Sequence, residues 1–348
     1  MPDIAPDARY FDQVMSNVRP DRLPLYEHII VPAFMERVAG TKFAHHEAPG
    51  GDIDAFMKPF CAFFRDMGYD TVSYEVCVGA VFPEPRALCG GQGPVQSRED
   101  LEAVDWAGLA DRYWALAEPR FAALARHLPP GMKAVGGVGN GVFELAETLV
   151  GLECLPFLDA DDPEAHALLY VRIGDLLVAL WTRFLDRYGH LFAACRFGDD
   201  LGFRSSLLTS PSVVRERIIP QYRRVIDLAH ARGGKFIYHS CGCIFEIMED
   251  MLALGIDAKH SNEDAIAPFD RWIDDYGARI ALLGGIDVDF LCRATPAEIY
   301  EATLRKGAGY RAKARGYAIG SGNSIPDYIP VDNYLAMVRA SRALREEG

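Results

Sequence analysis

His239 and Cys241 stand one residue apart at the end of a short apolar run, Lys235-Phe-Ile-Tyr-His-Ser-Cys-Gly-Cys243. On a strand, residues i and i+2 share a face, so an imidazole nitrogen and a sulfur can converge on one point. Those are donors that zinc prefers. Gly242 lets the chain turn immediately afterwards. Two ligands do not complete a zinc site, so other donors must be delivered to the same place. The plain alternative, a histidine bonded to a backbone carbonyl beside a small buried thiol, needs no such company.

The delivery system is legible in the hydrophobic pattern. Short apolar runs alternate with longer helical ones, which is the signature of repeated βα units around a parallel sheet. Eight strands are expected, near residues 23–29, 70–76, 132–138, 191–198, 235–240, 256–260, 279–286 and 316–321, and eight is the number that closes a barrel. Between them, 101–126 and 163–187 carry apolar residues at helical spacing. Ser210-Pro211 and Thr295-Pro296-Ala297-Glu298 read as helix starts, the second with a capping box. The expected architecture is α/β: one (β/α)8 TIM barrel over residues 20–348, preceded by an N-terminal helical extension over 1–19.

Composition narrows the partners. The chain has 348 residues, half of them apolar, and a formal net charge of -13. That acidity, without a basic run, disfavours nucleic acid and anionic membranes as ligands. No apolar run approaches a membrane span and no secretory leader is visible. Eight scattered cysteines then read as reduced thiols in a cytoplasmic protein.

In a barrel of this kind, chemistry gathers where strands end and loops begin. Glu27 and His28 lie there, as do Glu75 and Cys77. Asp199 and Asp200 follow the fourth expected strand; being adjacent, only one of them can enter a site directly. Asp199, His260 and Asp287 are candidates for moving protons. Glu27, Asn140, Arg204, Asn262 and Asn323 are candidates for binding substrate. For each of these alone, a loop hydrogen bond or helix cap is an equally ordinary role, and Arg204 could pair with either neighbouring aspartate. Gly136-Gly137-Val138-Gly139-Asn140-Gly141 reads as a glycine-rich turn after a strand and lacks the pattern of a dinucleotide site.

Five stretches together resemble the uroporphyrinogen decarboxylase superfamily, within it the corrinoid-linked methyltransferase branch. They are Pro20-Asp21-Arg22-Leu23-Pro24, Gly198-Asp199-Asp200-Leu201-Gly202 running on to Ser210-Pro211, His239-Ser240-Cys241-Gly242, Gly284-Gly285-Ile286-Asp287, and Gly320-Ser321-Gly322-Asn323-Ser324-Ile325-Pro326. The likeness runs from about residue 20 to 340. It implies a (β/α)8 barrel and, in the methyltransferases, zinc held by the His-x-Cys pair and a cysteine in the late glycine-rich loop. His239 and Cys241 match the pair. Ser321 stands where the third thiolate would be, and a serine hydroxyl is a poor zinc ligand. Glu75, Cys77 and Cys243 are the substitutes at hand, with Glu75 the expected third ligand.

The activity so implied is a zinc-dependent transfer of a methyl group between a small methylated substrate and a corrinoid protein, or a thiol or folate acceptor. No corrinoid-binding domain is visible, so a partner protein would carry that cofactor. Two alternatives stand beside it: a uroporphyrinogen-type decarboxylase, which needs arginines for a polycarboxylate substrate, and a non-catalytic barrel that binds a small ligand or a corrinoid protein. Glu27 lies in the region where the decarboxylases are Arg-rich, and it would repel their substrate.

Overall fold

A computed structural model of the chain describes residues 5–82 and 90–346. Seven parallel strands form one sheet in chain order: β1 (Thr71–Cys77), β2 (Lys133–Gly139), β3 (Phe192–Gly198), β4 (Phe236–His239), β5 (Ala258–His260), β6 (Ala281–Ile286) and β7 (Tyr317–Ser321). Their bounds lie within about two residues of the sequence expectation. Helices follow the strands, as the βα pattern requires. No helix among the described residues is long and apolar enough to cross a membrane.

The eighth expected strand, near 23–29, is the correction. That segment makes isolated parallel bridges, Leu25 to Ile319 and Ile30 to Ile325. On its other side the Ser73 hydroxyl of β1 donates to the His28 carbonyl. Pro24 and Pro32 bracket the segment and lack the N–H groups that a continuous ladder would use. The observed sheet is therefore seven-stranded, with an irregular segment lying between its ends. It is also curled: the Tyr26 hydroxyl accepts from Arg196 of β3 at 2.9 Å, while the Tyr26 ring meets His260 of β5 edge-on at 5.2 Å.

Two apolar clusters hold this arrangement. The larger lies between the sheet and its helices. The smaller fills the concave side, where Val135, Ala194, Ile237, Ala258, Ala281 and Ala318 meet Phe11, Val14 and Met15 of the helix Arg9–Met15. Small residues on the strands leave room for that helix to stopper the sheet near the strands' beginnings. The same inward face turns polar toward the strand ends. Strand parity puts Ser73, Glu75 and Cys77 of β1, Arg196 of β3, His239 of β4 and His260 of β5 on it.

Two departures in the helical regions have local causes. The expected helix 101–126 is divided into Arg98–Ala103 and Trp106–His127, the second capped by the Asp105 side chain. The helix from Ser210 contains a π turn over Val214–Ile218, just before Pro220. Proline has no N–H to give the preceding turn, so the backbone pairing slips by one residue there.

Candidate metal centre

β4 and the turn after it deliver His239 and Cys241 as the spacing requires. His239 Nε2 lies 3.6 Å from Cys241 Sγ. Gly242 turns with φ 76°, and a side chain on it would strike the backbone of Gly202, so glycine permits the loops after β3 and β4 to touch. Asp200, from the β3 loop, accepts from the Cys241 backbone N–H at 2.8 Å and places Oδ1 4.0 Å from His239 Nε2. Ligand atoms of Asp200, His239 and Cys241 lie within 4.8 Å of one another.

The hydrogen bonds fix which nitrogen of His239 is free. His260 Nε2 lies 3.1 Å from the Ser321 carbonyl, which can only accept, so that nitrogen carries the hydrogen. In a neutral ring His260 Nδ1 is then an acceptor. It lies 2.8 Å from His239 Nδ1, which must donate, leaving the lone pair on His239 Nε2 facing Cys241 and Asp200. Both rings are held neutral: burial pushes the pKa of His239 well below the usual range, helped by His260, and burial pushes His260 down to about 3. His28 stacks on His239 with ring centres 3.6 Å apart and planes within 8°. It completes a set of three histidines whose ring nitrogens also approach within 4.8 Å, though His260 is committed to the Ser321 carbonyl.

The donor set fits zinc. A 3.6 Å separation of nitrogen and sulfur is close to the edge of a tetrahedron with bonds of about 2.0 and 2.3 Å. The nitrogen–oxygen edge of such a tetrahedron is about 3.3 Å. Asp200 would therefore have to close in by about 0.7 Å to join it. Cys241 sulfur already receives the Asn323 amide at 3.2 Å and the Ser261 hydroxyl at 3.7 Å. Burial and the Asp200 charge push its thiol pKa up, so a bound cation is what would make it a thiolate.

Glu75, the expected third ligand, is placed elsewhere. Its Oε2 accepts from Arg196 at 2.7 and 3.1 Å, and the guanidinium also reaches Ser73 and Tyr26. Cys77 Sγ sits 3.7 Å from Glu75 Oε1. Gly139 opposite them is needed, because a side chain there would come within 3.0 Å of both. Glu75, Cys77 and Cys243 belong to neither ligand group among the described residues.

Several other candidates are structural in these surroundings. Asp199 accepts from the backbone N–H groups of Phe143 and Glu144 at 2.9 and 2.8 Å, and from the Tyr222 hydroxyl, so it caps the helix Val142–Val150. Burial lifts its pKa to about 6. Asp287 caps Val288–Arg293 and accepts from Asp264 N–H. Asn262 accepts from Gly285 N–H, tying the β5 loop to β6. Arg204 is exposed, and Asp199 and Asp200 are engaged by other groups. Asn140 follows β2, which runs through the supposed glycine turn to Gly139; it accepts from Gly79 N–H and donates to Glu144 at 2.7 Å.

Glu144 is the residue the sequence did not flag. It sits in the first turn of a helix, where an acid is ordinary. Yet a Cβ on Gly198 would lie 3.5 Å from His239 Cδ2 and 3.9 Å from Glu144 Oε1, so the two side chains flank one space. Burial, then the charges of Asp199 and Asp200, push its pKa well above the usual carboxylate range.

A parallel, curled sheet with a His–Cys–Asp donor set at the strand ends defines a βα enzyme scaffold with a candidate cation centre. The chain belongs to the uroporphyrinogen decarboxylase (URO-D) family, to which residues 123–344 match. Its fold is that of a methyltransferase from Methanosarcina mazei, with a TM-score of 0.75 at 16% identity, covering 96% of this chain and 97% of that one. A glycoside hydrolase family 5 enzyme from Prevotella bryantii B14 aligns with a TM-score of 0.46 at 13% identity, covering 98% and 100% of the two chains. Endo-glycoceramidase II from Rhodococcus sp. gives 0.46 at 14%, covering 96% and 80%. These last two likenesses are too loose to bear on the site. No curated protein matches the chain.

Proposed function

We propose that the protein is a zinc-dependent methyltransferase in which His239 and Cys241 hold the metal, Asp200 stands ready as the third ligand, and a separate corrinoid protein exchanges the methyl group. The observation that carries this reading is the hydrogen-bond chain that aims the His239 Nε2 lone pair at Cys241. Family membership and the fold shared with the M. mazei methyltransferase support it. Zinc bound there would act as a Lewis acid and make a coordinated thiol or water more acidic.

The residues around that position have separable tasks. His260 holds His239 in the required tautomer, and His28 fixes its plane. Asn323 and Ser261 direct hydrogens at the Cys241 sulfur. Glu144, steadied by the Asn140 amide, caps no helix and pairs with no cation among the described residues, and we assign to it the proton handling expected of Asp199, His260 or Asp287. We read the 23–30 segment as completing a barrel around this centre. The setting is cytoplasmic in this reading, which the unpaired state of the seven described cysteines supports.

Decarboxylation of a polycarboxylate is the poorer fit. Arg196 is fully buried and already neutralised by Glu75. Free methylcobalamin with a simple thiol tests methyl transfer directly. The thiolate sulfur bonds the methyl carbon, the cobalt–carbon bond breaks, and its electron pair stays on cobalt. Zinc-loaded protein should bleach the methylcobalamin absorbance and H239A should not; a zinc-loaded wild type that leaves it unchanged refutes the assignment.

A further inference from the structure

Ser321 sits where a ligand was expected, and its contacts give it another task. Its hydroxyl oxygen touches both Glu27 Oε2 and the Asn323 carbonyl. Its backbone N–H donates to Glu27 Oε1 at 3.1 Å. A hydroxyl has one hydrogen to donate, and a carbonyl can only accept. If the Ser321 hydrogen goes to Asn323, the contact with Glu27 needs a hydrogen from Glu27 itself. An ionised Glu27 would leave one of the two close oxygen pairs with no hydrogen between them.

The surroundings of Glu27 point the same way. The side chain is 1% exposed, and its remaining partner is the Tyr69 phenol at 3.5 Å, which in turn meets the Tyr334 phenol at 3.0 Å. No cation touches it among the described residues, and the nearby Arg196 is paired with Glu75. A buried charge without a partner is costly, so such a group takes up its proton instead. Burial accordingly lifts its pKa to about 8.

The far end of the chain reaches the candidate metal centre. Ser324 N–H donates to Asn323 Oδ1 at 2.7 Å, which fixes the amide so that Nδ2 faces away from that bond. Nδ2 donates to Cys241 Sγ at 3.2 Å. We propose that Glu27 is a neutral carboxylic acid that donates to Ser321 and, through Ser321 and Asn323, holds the Asn323 amide on the Cys241 sulfur. Glu27, Ser321 and Asn323 are then positioning residues, and Ser321 is the pivot of a clamp on the sulfur. The consequence for metal retention rests on the assignment of zinc to His239 and Cys241; the protonation of Glu27 does not.

Glutamine tests this cleanly, because its amide reproduces a neutral acid: NH2 can donate to Ser321 Oγ while Oε1 accepts the Ser321 N–H. In full-length protein at neutral pH, the infrared spectrum should contain a carboxylic-acid carbonyl band that E27Q removes. Zinc release to a chelator should be about tenfold faster in E27A, S321A and N323A, as when a group that supports a ligand is lost. E27Q should release zinc at the wild-type rate, and E27A/S321A should be no faster than either single variant. Absence of an acid band assignable to Glu27, or E27Q losing zinc as fast as E27A, would overturn the proposal. If the wild type binds no zinc, the metal assignment fails and the infrared band alone decides the state of Glu27.

Discussion

β1 and β4 each end with a potential ligand pair at i and i+2, Glu75 with Cys77 and His239 with Cys241, and the molecule treats them in opposite ways. At β1 the carboxylate is cancelled by the fully buried Arg196, and burial followed by the Glu75 charge pushes the Cys77 thiol well up. At β4 the imidazole is neutral, its lone pair faces Cys241 and Asp200, and two hydrogen-bond donors approach the cysteine sulfur. Spacing makes two ligands meet; the groups on the neighbouring strands decide whether they are free to bind. Arg196 reaches Glu75 from β3, and His260 reaches His239 from β5.

The largest effect should come from breaking the β1 pair. Arg196→Met leaves the Glu75 charge buried without a partner, and urea unfolding should show a loss of about 3–5 kcal/mol. That loss should be recovered in part by adding Glu75→Gln, which removes the orphaned charge. Next comes the pH dependence of stability carried by Glu27. Its folded pKa, about 8, lies above the ordinary 4.5, so its contribution is present below pH 4.5 and is lost as the pH rises toward 8. The slope is about 1.4 kcal/mol per pH unit, and E27Q should flatten it by that amount. A smaller effect separates the adjacent aspartates. Asp199→Ala removes a helix cap and should cost about 1–2 kcal/mol while leaving zinc content unchanged. Asp200→Ala should do the reverse, weakening zinc retention in a chelator titration with stability changed by less than about 0.5 kcal/mol beyond the metal's own contribution.

Much of this is legible in the amino-acid sequence. The strand positions followed from apolar runs, because strands buried on both faces announce themselves by composition. Parity brings His239 and Cys241 together, and their ligand atoms lie 3.6 Å apart, while reading the pair as a metal site also needs the family resemblance. That only one of Asp199 and Asp200 could enter the site also followed from parity, and Asp200 is the one beside Cys241. What the chain could not announce was competition for a side chain from elsewhere in the fold. Glu75 appeared free because Arg196 lies 121 residues away. Asp199 and Asp287 looked reactive because a helix cap and a catalytic carboxylate have the same sequence signature just after a strand. Glu144 was hidden for the converse reason, being an acid in a first helical turn. The eighth strand was overcounted because an apolar run bracketed by prolines has the composition of a strand without its N–H groups.

The zinc content of the purified wild type beside C77A and C241A decides which strand holds the metal. With the metal at His239 and Cys241, about one zinc per chain is expected in the wild type and in C77A, and none in C241A. A wild type that holds no zinc, or a C241A variant that keeps it while C77A loses it, would contradict the account and move the centre to the other strand.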